Sequence, residues 1–296
     1  MKTAAFVVLR VIALTVILFI CFGVAASVVG IAGNSQASGQ AGAGALPLVV
    51  VCFLETAVLT YLILRSRWSG WRLAAAIFFV FYGVTTFMSQ IESAVFLTRL
   101  PPGMLPRLFL MGALIAAPFS VLAVLILGKR KAETIDNERN SRLVMPAGEW
   151  GWKLAIIAIV YVVLYFIFGY FIAWRNPAVR EYYGGVDPGS FVAQMGTVLR
   201  NTPWLVPFQV LRAMCWVALA LPVIRMMKGQ WLETVLAIGL LFAVVMNARL
   251  LLPNPYMPQP VRMAHLVETA SSNLIFGVFI GWLLTQHDAF AKVAVV

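Results

Sequence analysis

Residues 155–173 read AIIAIVYVVLYFIFGYFIA, with no charged side chain on any face of a helix built from them. A bilayer core about 30 Å thick is crossed by about 20 such residues in α-helical form, and this chain repeats the pattern. Eight segments are long and apolar enough: 6–33, 46–64, 73–97, 107–128, 152–174, 204–227, 231–252 and 263–285. Hydrophobic residues make up 62% of the chain and charged ones only 11%, which excludes an ordinary soluble domain of 296 residues. A transmembrane β-barrel is excluded as well, because its strands alternate apolar and polar positions, whereas these runs are apolar throughout. The expected fold is therefore all-α, a polytopic membrane helix bundle of about eight transmembrane helices.

The net charge of +11 resembles a nucleic-acid footprint until the basic residues are located. They fall mostly in short links between apolar runs, so no nucleic-acid partner is expected; the expected surroundings are the lipid bilayer. With a cytoplasmic N-terminus, the inner links carry thirteen basic residues: Lys2, Arg65, Arg67, Arg72, Lys129, Arg130, Lys131, Arg139, Arg142, Lys153, Arg225, Lys228 and Lys292. The outer links carry six: Arg99, Arg107, Arg175, Arg180, Arg200 and Arg262. That bias puts both termini in the cytoplasm of a plasma (inner) membrane protein. A cleaved signal peptide is the competing reading of the first segment, with the small-residue tract 37–45 as its exit. The apolar run to Ile31 is long for one, however, and its loss would break the symmetry of the chain.

That symmetry divides the chain into a first four-helix half (1–128), a cytoplasmic linker (129–151), a second four-helix half (152–286) and a cytoplasmic tail (287–296). The outer links 100–107 and 252–262 are both proline-rich, and each delivers an arginine to the next helix. Trp71 and Trp231 stand at matching entrances. An even number of helices per half would make such a repeat parallel, either as a true duplication or as two similarly built halves. In the long outer link, Asp187-Pro188-Gly189 reads as a helix start, and Phe191, Met195, Val198 and Leu199 follow at helical spacing. A short amphipathic helix on the outer surface is expected there, as an interfacial anchor or a lid.

An ionisable side chain near a helix centre costs about 2.5–3.5 kcal/mol on insertion scales, so each needs a partner, water or a task. Glu55, Glu92, Arg212, Asn247, Arg249, His265 and Glu268 all fall in the outer half of the membrane. At 100° per residue, Arg262, His265, Glu268, Thr269 and Ser272 share one face of the last helix, and Thr85, Ser89, Glu92 and Ser93 share one face of the third. These stripes, with Gln90, Gln209 and Arg212, define an expected outward-facing polar pocket. Its candidates for proton coupling are Glu55, Glu92, Glu268 and His265. Arg212, Arg249 and Arg262 are their charge partners, and Ser89, Gln90, Asn247 and Ser272 line the pocket. Depth along the helices pairs Glu92 with Arg249, and Glu268 with Arg212 or Arg262. The structural alternative is that such pairs only fix helix register.

Three cysteines inside apolar runs and a single intramembrane histidine offer no metal-ligand set, so neither metal nor cofactor is expected. No nucleotide-binding or hydrolase signature is present. The leading functional expectation is small-molecule or ion-coupled transport, with a small-molecule or lipid ligand that the residues do not name. A membrane-embedded enzyme acting on a lipid or lipid-linked substrate at the outer leaflet, and a non-catalytic assembly or sensory subunit, are the alternatives. Catalytic residues and oligomeric state are not readable. The topology is testable: single cysteines at Gly103 and Gly185 in a cysteine-free background are expected to react with an impermeant thiol reagent from outside, whereas one at Asn137 is not. Outside labelling at Asn137 would invert the orientation.

Overall fold

The computed structural model of the protein describes residues 2–31, 45–97, 100–131 and 142–286. The central part of the 129–151 linker and the whole 287–296 tail lie outside the described residues, as do Asn137 and the 37–44 tract. Ten helical elements follow in order: α1 (Lys2–Val28), α2 (Ala45–Leu64), α3 (Gly70–Phe96), α4 (Met104–Ile126), α5 (Ala147–Trp174), α6 (Pro177–Tyr183), α7 (Phe191–Asn201), α8 (Leu205–Met226), α9 (Trp231–Leu251) and α10 (Gln259–Thr285). Eight of them, all except α6 and α7, are long and apolar enough to cross a membrane. The protein is an all-α polytopic membrane protein, with no β-strand among the described residues. Helices suit this solvent because each satisfies its backbone hydrogen bonds within one segment.

The chain forms two compact units. The first comprises the described residues within Met1–Arg139, together with Met226–Gly229 and Val244–Tyr256; the second comprises those within Asn140–Arg225, Gln230–Ala243 and Met257–Val296.

In the first unit α1 is apolar all round, as a lipid-facing helix must be. Leu14, Leu18, Phe22 and Ala25 point into the unit, while Leu9, Ile12, Val16 and Ile20 stay exposed on the opposite side. Arg10, within its apolar stretch, donates to the Leu127 carbonyl at the end of α4. The helices α3 and α4 approach closely because Gly112 lacks a side chain; a Cβ there would overlap Thr86. Phe81 and Phe119 pack across the same contact at 5.6 Å between ring centroids.

The second unit is built around α10. Gly277 and Gly281, four apart on one face, let the first part of α9 lie against α10 at backbone distance. A Cβ at Gly277 would stand 2.9 Å from the Ile238 carbonyl oxygen, and one at Gly281 would stand 2.9 Å from Val235 Cα. This small-xxx-small pair thus packs within the chain. On another side of α10, Phe276 meets Tyr161 of α5 at 4.7 Å, and the Tyr161 hydroxyl accepts from Trp216 Nε1 at 3.2 Å.

One departure from regular geometry matters for the site. Wide π-turns interrupt α3 at Gly83–Phe87 and α9 at Leu241–Val245, and a third, Gly169–Trp174, ends α5. Each rotates the residues that follow, a device common at functional sites. In the long link, α7 forms where the apolar spacing puts it. Its cap is Ser190, whose Oγ accepts from Ala193 N, rather than Asp187, which instead closes a turn onto Gly189 N. The preceding α6, capped by Asn176, is a helix that the apolar spacing does not signal.

The glycine contacts give a stability test. Gly277→Val is expected to lower the melting free energy by about 1–3 kcal/mol through overpacking. Gly23→Ala, where nothing lies within 4 Å, is expected to leave it unchanged or slightly raised. Thermal unfolding in detergent compares the two.

Candidate functional site

The first unit encloses an ion pair. Glu55 on α2 is completely buried, and its Oε1 accepts from Arg249 Nε at 2.9 Å. Arg249 lies on the 3₁₀ turn Ala248–Leu251 that ends α9, beyond the π-turn, so two departures from α geometry precede its side chain. The guanidinium also lies over two aromatic rings, Phe22 of α1 at 5.0 Å and Phe81 of α3 at 5.7 Å. One charge pair with its ring faces therefore joins α1, α2, α3 and the end of α9. This corrects the expected partnership, because Arg249 takes Glu55 and not Glu92. Depth along a helix fixes one coordinate, whereas azimuth decides which carboxylate of similar depth is reached.

Glu55 Oε2 has no hydrogen-bond partner among the described residues, and neither do the hydroxyls of Thr56 and Thr60 on the same helix. The carboxylate thus has one oxygen committed to Arg249 and one uncommitted. The other candidates in this unit are half-buried or buried on the C-terminal parts of α3 and α9. Ser89 Oγ lies 3.2 Å from the Thr85 carbonyl, to which it donates, and 3.7 Å from Met246 Sδ. Glu92 and Gln90 are half-buried, and Asn247 is buried.

The second unit holds a different arrangement. Glu268 Oε2 stands 2.8 Å from His265 Nδ1, one turn earlier on α10, and His265 Nε2 stands 3.2 Å from the Tyr183 hydroxyl at the end of α6. With the carboxylate accepting, Nδ1 carries the ring proton and Nε2 accepts from Tyr183. The three groups form a chain from a buried carboxylate, through a half-buried imidazole, to a tyrosine of the link outside the membrane helices. The π-turn of α5 borders the same carboxylate, since a Cβ at Gly169 would stand 3.5 Å from Glu268 Oε1. The spacing of His265 and Glu268 on one face is legible in the sequence. The contribution of Tyr183 is not, because it depends on where α6 folds back.

The carboxylate of Glu268 therefore pairs with His265 rather than with Arg212 or Arg262. Arg212 is buried on α8, where its Nη1 donates to Gln209 Oε1 at 2.9 Å and its guanidinium lies 5.7 Å from the Tyr161 ring. Arg262 is buried near the start of α10, and Ser272 Oγ donates to the Thr269 carbonyl at 3.3 Å. Among the described residues no group of three or more His, Cys, Asp or Glu side chains is placed to hold a metal ion.

Comparison with known protein families, curated proteins and solved structures finds no match to this chain. The class that the fold defines is an integral membrane protein, with eight helices among the described residues long and apolar enough to cross a membrane.

The enclosed pair generates a mutational prediction. Glu55→Gln leaves a guanidinium that cannot shed its proton, whereas Arg249→Met leaves a carboxylate that can take one up. Breaking a buried pair costs about 3–5 kcal/mol, so each single change is expected to destabilise, Glu55→Gln more severely. The double change is expected to recover much of the loss in detergent melts. Additive losses would show that the two residues act independently.

Proposed function

We propose that the protein is a proton-linked membrane transporter of a small solute, in which Glu268, His265 and Tyr183 bind and pass the coupling proton. The observation that carries this reading is the continuous hydrogen-bonded chain from a buried carboxylate to a residue outside the membrane helices. A proton arriving at Nε2 makes an imidazolium that remains paired with Glu268, and the Tyr183 hydroxyl turns from donor to acceptor. Imidazole suits the task because its ordinary pKa, about 6.5, lies in the range where small changes in pH alter its charge. Intramembrane ionisable residues of this kind commonly mark proton and substrate paths. Glu55, with one uncommitted oxygen beside Arg249, is a second carboxylate able to exchange a proton, and Glu92, half-buried on α3, is a third candidate. In this reading the protein resides in the plasma membrane with both termini in the cytoplasm, which the thirteen-to-six distribution of basic residues supports.

A second reading has a specific observation in its favour. A histidine oriented by a carboxylate is also the arrangement of a general base, which an enzyme acting on lipid head groups at the outer leaflet would use.

The two separate in vesicles loaded with a pH-reporting dye and reconstituted with the full chain. A panel of small organic acids, amines and neutral solutes is added outside, and the transport reading predicts a solute-dependent change in internal pH. Glu268→Gln is expected to reduce that signal more than tenfold, and His265→Gln to remove its dependence on external pH. Signals unaltered in both variants would overturn the assignment of the relay. Turnover of an added lipid head group without any solute-dependent proton movement would favour the enzyme.

A further inference from the structure

Three short segments of the first unit are tied together beyond the C-terminal end of α2. The first, 65–72, follows α2; the second, 127–131, follows α4; the third is Met226–Gly229. Arg67 N donates to the Met226 carbonyl and Lys228 N donates to the Arg65 carbonyl, each at 2.7 Å, so that Ser66 and Met227 form an isolated antiparallel bridge. Gly70 N donates to the Lys129 carbonyl at 2.7 Å, and Lys129 Nζ donates to the Ser66 carbonyl at 3.1 Å. Gly70 has φ +58, and a Cβ there would press on the Arg130 carbonyl oxygen at 3.1 Å. Glycine thereby allows the close approach.

These ties gather Arg65, Arg67, Arg72, Lys129, Arg130, Lys131 and Lys228, while the three segments contain no Asp or Glu. Arg72, Arg130 and Lys131 are exposed and the others half-buried. Arg72 is stacked over Trp68 at 4.0 Å, and the adjacent Trp71 is 83% exposed. Tryptophans at the ends of membrane helices sit at head-group level. Basic side chains fixed at that level meet the phosphates of anionic lipids, each contributing about a fivefold gain in affinity near a charged surface.

We infer that this tied basic face is a binding site for the phosphate head groups of anionic phospholipid in the leaflet that α2 and α4 end in. The ligand is a lipid phosphate rather than a soluble one because the cations stand at helix ends beside an exposed tryptophan. The site is independent of the relay in the second unit.

The test uses the full-length protein in phosphatidylcholine micelles, titrated with phosphatidylglycerol, with the melting temperature as readout. Phosphatidylglycerol is expected to raise it. In the triple variant Arg72→Gln, Arg130→Gln, Lys131→Gln the concentration giving half the effect is expected to rise on the order of a hundredfold. These three side chains are exposed and outside the backbone ties, so the variant is expected to melt as the wild type in phosphatidylcholine alone. The charge-keeping pair Arg72→Lys, Arg130→Lys is expected to bind as the wild type does, which makes charge the readout even if the triple variant is less stable. A control removing the same charge elsewhere, Arg107→Gln, Arg175→Gln, Arg200→Gln, is expected to keep the wild-type titration. Equal losses in the two triple variants, or none in the first, would overturn the site. Inorganic phosphate is expected to give no rise in melting temperature; a rise matching that of the lipid would overturn the lipid assignment.

Discussion

In hydrocarbon no water is present to satisfy a polar group, so every backbone amide and every charged side chain must find its partner inside the protein or at its edge. The backbone meets this constraint by being helical across all eight spans. The side chains meet it differently in the two units. In the first, Glu55 and Arg249 neutralise one another beneath two phenylalanine faces, and the pair holds together helices distant in sequence. In the second, Glu268 takes the histidine one turn away on its own helix, and that histidine reaches a tyrosine of the link outside the spans. The enclosed pair joins helices distant in sequence, while the chain of hydrogen bonds links a buried carboxylate to a residue of the link. The same chemical constraint is thus met by two different arrangements.

Much of the fold is legible from the chain because a membrane-crossing helix has a minimum length. The expected spans and the observed ones coincide to within a few residues. The differences are local: α10 starts at Gln259 instead of 263, since Pro260 fits the first turn of a helix, and α1 ends at Val28 rather than continuing to 33. Helix α7 is foretold by its apolar spacing, although its cap is one that the proline in 187–189 obscures. The short helix α6 escapes notice because seven residues carry too little periodicity.

The site is legible only in part, for a geometric reason. Sequence gives the depth of a residue and its angle on its own helix, but not which neighbour that angle faces. His265 and Glu268 share a helix, so their contact follows from spacing alone. Glu55 and Arg249 lie on separate helices, and Arg249 also follows a π-turn that shifts the angular register of α9. No residue pattern announces such a turn, and depth alone therefore favours Glu92. The aromatic faces over Arg249 and the tyrosine beside His265 are likewise products of packing, not of pattern.

The central structural claim is that the carboxylate of Glu55 and the guanidinium of Arg249 are in direct contact within the membrane. Solid-state NMR on the protein in lipid bilayers, with glutamate carboxyl carbon-13 and arginine Nε nitrogen-15 labels, measures that contact through their dipolar coupling. Contact predicts a strongly dephased glutamate carboxyl signal that disappears in Glu55→Gln and loses its dephasing in Arg249→Met. The absence of any carboxyl signal whose dephasing depends on both residues would contradict it.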